Sequence, residues 1–378
     1  VWFSQEARAY ALLALLAALA ALLWLRALER PSAGRAAAWA LVAALALATH
    51  YYAVFLVAAM APWLVLRAPS ARVRVALLAP LAAALAALVP LALGQRANDS
   101  AAFIRDSALP TRLAQVPKQL LVGYDAPAES LLAVLSLLVA LVAAGGLAWL
   151  VARSPGDPVG QPEPARCTRA DVLRLAAVTV AALLLPAIVA VAGEDHLVTR
   201  NVLAVAPLGC ALAGAGLAAL DRALPRLGGC ALAAACALGL VAVVGVDRDA
   251  TLQRDDWRGA VRALAHAAGE RVVVATPASA LAPLRYYLPS ARPLAAPTAR
   301  AAEIDYLALS ERSPGERPVP PRPPTAPVPA PGFVVAGRTE APTFTVLRLR
   351  AAMPQTVPRA ALGTGLDGGP AAVLVAAR

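Results

Sequence analysis

The chain has 378 residues, 60% of them hydrophobic and only 15% charged, with a formal net charge of +11. A soluble domain is about half apolar and a quarter charged, so this composition excludes an ordinary soluble protein. The positive charge does not call for nucleic acid, because many of the arginines sit in short loops between apolar runs, where membrane topology places them.

The opening stretch, VWFSQEARAYALL, sets Gln5, Glu6, Arg8 and Tyr10 directly before a wall of leucine and alanine. A start at Val1 that drops straight into a polar cluster fits a chain whose upstream part is missing; a processed N-terminus is the alternative. Apolar runs then occupy about 10–28, 36–66, 75–93, 131–151, 172–192, 202–220 and 227–246. Most have the ~20 residues that cross a hydrocarbon core of about 30 Å.

The run 36–66 is too long for one ordinary span and short for two. Charge resolves it. Arg26, Arg30 and Arg35 precede the run, and Arg67, Arg72 and Arg74 follow it. The positive-inside rule puts both loops in the cytoplasm, which requires two short spans turning outside at Thr49-His50-Tyr51-Tyr52.

Carried forward, this parity puts 95–128 outside, with Arg96, Arg105, Arg112 and Lys118 offset by Asp99, Asp106 and Asp125, as a folded loop. Residues 153–171 fall inside, and SPGDPVGQPEP reads as a flexible linker. GEDHLVTRN at 193–201 falls outside, 221–226 inside, and everything after Val246 outside. The expected fold is a polytopic α-helical membrane protein of about eight transmembrane helices over 1–246. Residues 247–378 form a small extracytoplasmic α/β module.

Within that module, DDWRGAVRALAHAAGE has helical spacing of Trp257, Val261, Leu264 and Ala265, with Asp255-Asp256 as its N-cap. RVVVAT at 271–276 reads as a buried strand and TFTVLRLR at 343–350 as a half-exposed one. Residues 314–331 are proline-rich and predict an extended connector. No P-loop or GxSxG stretch occurs. Cys210, Cys230 and Cys236 lie in apolar runs, Cys167 in a polar loop, and His50, His196 and His266 are far apart. No metal-ligand spacing results, no cofactor is evident, and no ligand cluster supports a divalent cation.

The topology sets several polar residues at one outer level. These are Gln5, Glu6, Arg8 and Tyr10 before the first span; His50, Tyr51 and Tyr52 at the turn; and Asp195, His196, Arg200 and Asn201 before a later span. Two readings stand. In one, Glu6 favours a helix N-terminus, the tyrosines form an aromatic belt, His50 is an interface residue and Arg200 snorkels. In the other, these residues line an outward cavity for a ligand with an anionic head and a lipid tail, Arg200 meeting a phosphate.

Four ordered stretches carry a family resemblance. SQEARAYALL at 4–13 resembles a signature of bacterial GT-C superfamily membrane glycosyltransferases, the relatives of protein O-mannosyltransferases and of the lipid A aminoarabinose transferase. THYYAVFL at 49–56 resembles a second stretch of that group. TRNVLAVAPLGCALAGAGL at 199–217 resembles the start of a late helix, although Asn201 stands where Tyr is common and Ala204 where the first Pro is expected. DDWRGAVRAL at 255–264 resembles the opening of the outer C-terminal domain.

The resemblance implies transfer of a sugar from a polyprenyl-phosphate carrier to a lipid, glycan or protein acceptor, at the outer face of the bacterial plasma membrane. It implies an inverting displacement with a carboxylate base. That base is expected in an outer loop upstream of Val1, with Glu6 as the alternative within this chain. Gln5, Glu6, Arg8 and Tyr10 would shape the mouth of the site, His50 and Tyr51 line it, and Arg200 hold the carrier phosphate. Two other classes remain open: a transporter or flippase of lipid-linked sugars, and a non-catalytic membrane scaffold. A transporter calls for internal repeats and midplane ionisable groups, and the sequence has neither.

Overall fold

The computed structural model describes residues 9–97, 104, 107–152, 168–253, 255–264, 270–310 and 329–376. The chain divides into two units, 1–243 and 244–378.

The first unit is helical. Its elements are α1 (Tyr10–Glu29), α2 (Ala33–Thr49), α3 (Val54–Arg67), α4 (Ala71–Ala97), α5 (Leu109–Leu121), α6 (Glu129–Ala152), α7 (Arg169–Val191), α8 (Ala206–Ala223) and most of α9 (Leu227–Arg248). Six of these helices, α1, α4 and α6–α9, are long and apolar enough to cross a membrane. On α1 the large apolar residues divide by face: Leu13, Leu16, Ala17, Ala20 and Trp24 are buried, and Leu12, Leu15, Leu19 and Leu22 are exposed. Exposed leucine and valine also cover α4, α6 and α9. An apolar outer surface of this extent suits hydrocarbon, not water.

The run 36–66 is divided as charge required. α2 ends at Thr49, whose hydroxyl donates to the Leu45 carbonyl at 2.7 Å. His50 is extended, and one 3-10 turn, Tyr51–Ala53, leads into α3. Alanine faces make close packing possible: Ala17, Ala20 and Ala27 of α1 are buried, as are Ala36, Ala40 and Ala43 of α2. The buried Trp24 indole of α1 donates to the Met60 carbonyl of α3 at 3.0 Å, next to Pro62. At this end, Ala27, Ser32, Leu64, Arg67 and Val73 line one small cleft, so the α1–α2 and α3–α4 connections lie side by side. α6 and α8 cross at Gly146 and Gly216, where backbone meets backbone.

The second unit is a mixed sheet with two helices, α10 (Trp257–Leu264) and α11 (Leu281–Tyr287). Its strands are β1 (Arg271–Thr276), β2 (Ala291–Pro293), β3 (Thr298–Leu309), β4 (Val334–Ala341), β5 (Phe344–Pro358) and β6 (Ala372–Ala376), in the order β2-β6-β1-β3-β5-β4. Among the described residues only the β1–β3 pair is parallel. One face packs Val273, Leu307 and Val346 against Ala260 and Leu264 of α10 and Leu284 of α11. The other buries Val272, Ile304, Tyr306 and Leu349 with Phe333, Leu362 and Leu366. Asp256 caps α10 by accepting from the Gly259 amide at 2.8 Å, the role its sequence position predicts.

Three expectations change or fall elsewhere. The stretch between α4 and α6, expected as a folded loop, contains the helix α5. The strand expected at 343–350 continues to Pro358, and β2, β3, β4 and β6 were not anticipated. Residues 314–328 of the proline-rich stretch, the 153–167 part of the linker, Cys167, Ala265 and His266 lie outside the described residues.

Candidate functional site at one end of the helical unit

Helix geometry brings distant residues to the end of the bundle opposite the basic connections. Tyr10 opens α1 and is buried; its ring centroid lies 5.8 Å from that of His50, at the end of α2. His50 is 6.1 Å from Tyr51 and 5.7 Å from Tyr52. Tyr51 and Tyr52 are 4.3 Å apart, and Tyr52 lies 6.1 Å from Phe55. The extended conformation of His50 followed by a 3-10 turn splays these side chains at the helix end instead of burying them in a continuous helix. The Tyr51 hydroxyl donates to Gln95 Oε1 at 2.7 Å, tying the turn to the end of α4.

The segment between α7 and α8 supplies the other wall. His196 lies 5.5 Å from Tyr52, so the aromatic cluster spans both segments. His196 Nδ1 is buried and has no hydrogen-bond partner among the described residues. The half-buried Arg200 is near enough to act electrostatically on both Tyr52 and Tyr124. Burial raises the Tyr124 phenol above its ordinary pKa, Asp125 adds to the rise, and Arg200 works against both. Asn201 is buried and donates its amide to the His196 carbonyl at 2.7 Å. In this chain it fixes the turn that carries His196.

α5 holds that segment in place. Its Arg112 is 6% exposed and grips Asp195 with both terminal nitrogens, one at 2.8 Å from Oδ1 and the other on Oδ2. The same guanidinium donates to the Leu197 carbonyl at 2.7 Å and to the Ser107 carbonyl at 3.0 Å. Val116 of α5 packs with Leu197 and Val202. Arg112 holds the Asp195 carboxyl below its usual range, outweighing the opposing effect of partial burial. Lys118 of α5 bonds Glu129 at 2.6 Å and the Tyr124 carbonyl at 2.8 Å.

Of the residues singled out from the sequence, Tyr10, His50, Tyr51 and Arg200 belong to this one end of the unit. Gln5, Glu6 and Arg8 lie outside the described residues. Gln95, Arg112 and Tyr124 were missed as site residues. Topological parity already sets Gln95 on the same level, but nothing in the sequence links Arg112 to Asp195. Among the described residues no cluster of three or more histidine, cysteine, aspartate or glutamate side chains can hold a metal ion. No protein-family model, curated protein or solved structure matches the chain.

Proposed function

We propose that the chain is a GT-C-like membrane glycosyltransferase. It passes a sugar from a polyprenyl-phosphate carrier to a lipid, glycan or protein acceptor at the outer face of a bacterial plasma membrane. The observation that carries this reading is the convergence of Tyr10, His50, Tyr51, Tyr52 and His196, from three separate segments, around one bundle end beside Arg200. Tyr10, His50, Tyr51, Tyr52 and Arg200 stand in the stretches 4–13, 49–56 and 199–217 that resemble the family signatures, and His196 lies just before the third. In this reading the six long helices and the α2–α3 pair cross the membrane, about eight crossings in all, and the sheet unit is extracytoplasmic.

Arg200 holds the carrier phosphate, because a guanidinium keeps its charge and offers a forked set of donors. It stabilises the negative charge that develops on the phosphate as the glycosidic bond breaks. The tyrosine and histidine rings form a wall whose faces suit the apolar face of a sugar. An acceptor hydroxyl attacks from the opposite side after losing its proton to a carboxylate. Asp195 and Glu129 are held by Arg112 and Lys118 and are not that base. Glu6 retains its place as the alternative base within this chain.

The test uses membranes from cells expressing the full chain, supplied with radiolabelled polyprenyl-phosphate sugars, scoring label in lipid, glycan and protein fractions. The expected result is transfer that falls about 100-fold in Arg200→Ala or Glu6→Gln. Transfer unaffected by both substitutions, or movement of the intact donor across vesicles with no new glycosidic bond, overturns the reading.

A further inference from the structure

The helix-covered face of the sheet unit has a gap. Its apolar layer extends across β1 and β3 to Phe344 and Val346 of β5 and stops at Arg348. Beyond it lies a cavity of about 220 Å3, lined by Ala263, Gly337, Arg338, Thr339, Arg348 and Arg350 among others. Arg348 and Arg350 are two apart on β5 and so share a face. Gly337 pairs with Arg348 in register, immediately after a β-bulge, and a Cβ built on it meets no atom within 4 Å. The open space therefore lies directly over a residue with no side chain, beside two arginines.

These arginines are held from below. Asp305 is fully buried, and Arg348 donates to it through Nε at 2.8 Å while also bonding the Ala263 carbonyl at 3.2 Å. Glu303, 2% exposed, accepts from Arg350 Nε at 2.8 Å. Arg271 adds a third guanidinium against Asp305 at 2.9 Å, and Arg338 pairs with Glu340 at 2.7 Å. Arg338 and Glu340 stand opposite Leu347 and Thr345 in register, on the other face of the sheet, so three arginines face the carboxylates of Glu303 and Asp305, which lie under them, not in the cavity. A salt-bridge network built only for stability has no need of an open space on its cationic side. Guanidinium groups fixed in advance lose little freedom when a ligand arrives, and their fork geometry matches oxyanions.

We propose that this cavity binds a small ligand through one oxyanion, a phosphate ester or a sugar carboxylate. Its volume falls below the range of drug-sized sites and suits a single sugar or a phosphorylated fragment. No residue from the aromatic end of the helical unit enters the argument, so the site stands or falls apart from the transferase reading.

The test is calorimetric titration of the full chain in detergent micelles at constant ionic strength. Inorganic phosphate and glucuronate are the probes, with chloride as the control. The expected result is saturable binding at one site that weakens about tenfold or more in Arg350→Gln and is lost in Gly337→Leu, which fills the space without changing charge. Arg359→Gln, at an exposed position elsewhere in the unit, leaves it unchanged. Phosphate binding without glucuronate binding assigns a phosphate ester, and the reverse assigns an acidic sugar. No saturable binding of either anion overturns the proposal, as does binding equal to wild type in Gly337→Leu. Thermal unfolding of each variant separates a lost site from a lost fold.

Discussion

Replacing Arg112 by Gln should release the segment between α7 and α8. The wild-type guanidinium makes two contacts to Asp195, one to the Leu197 carbonyl and one to the Ser107 carbonyl. Hydrogen bonds to charged groups contribute about 1.5–3 kcal/mol each but are not additive within one group. Breaking a fully buried pair costs about 3–5 kcal/mol. Asp195 is 23% exposed and regains some hydration, which brings the expected loss to about 2–3 kcal/mol. The pH dependence has a fixed sign. The Asp195 carboxyl is depressed in the folded state, so its stabilisation is complete above the ordinary aspartate value near ~4 and is lost as pH falls through the folded value. Thermal unfolding in detergent should therefore show wild type losing its advantage over Asp195→Asn only below about pH 4. Hydrogen exchange should show faster amide exchange at 195–201 in Arg112→Gln at neutral pH. Exchange at those amides equal to wild type would refute the assignment of Arg112 as the tie.

Other predictions follow from single contacts. A Cβ at Gly146 falls 2.2 Å from the Gly216 carbonyl oxygen, so Gly146→Leu should cost at least about 3 kcal/mol and disrupt the α6–α8 crossing. Gly145→Leu, whose Cβ meets no atom within 4 Å, should behave as wild type in size-exclusion chromatography and thermal unfolding. Tyr51→Phe removes the bond to Gln95 and should lower stability by about 1 kcal/mol, with Gln95→Leu adding little once Tyr51 is changed. Asp305→Ala leaves Arg271 and Arg348 without their shared counter-ion and should destabilise the sheet unit by about 3–5 kcal/mol, read as earlier exchange of β1 and β3 amides.

The helical unit was legible because its signal is one-dimensional. A run of about 20 apolar residues reports a helix without reference to any partner. Charge counting then divided 36–66 at the position where the chain turns. α5 escaped because its register mixes polar and apolar residues on one face: Arg112, Val116 and Gln119 are all buried. The burial of Arg112 depends on Asp195, 83 residues away, a pairing that no local pattern encodes. β3 was hidden for a related reason. Its sequence TARAAEIDYLAL places Glu303 and Asp305 where an exposed stretch is expected, yet both are buried because β1 and β5 supply arginines on either side. Strand identity of this kind is fixed by neighbours across the sheet, not by propensity.

The same contrast decides how the aromatic end is built. Tyr10 and His50 are set by α1 and α2, whose alanine faces permit close backbone approach and few alternative packings. His196 and Arg200 stand on a segment of short 3-10 turns, Thr199–Asn201 and Leu203–Val205, with no regular helix beneath them. Their positions rest on side-chain ties: Arg112 to Asp195, Asn201 to the His196 carbonyl, and the ring contact to Tyr52. One wall of the cluster therefore rests on packed helices and the other on polar ties, the arrangement expected where a ligand must enter between them. If Arg200 meets the carrier phosphate, Arg112→Gln should weaken carrier binding although Arg112 touches no ligand. Restoring the tie by exchanging the pair, Arg112→Asp with Asp195→Arg, should recover part of it. Carrier binding that is unchanged in Arg112→Gln while exchange at 195–201 rises would separate the loop from the site and remove Arg200 from the proposed mechanism.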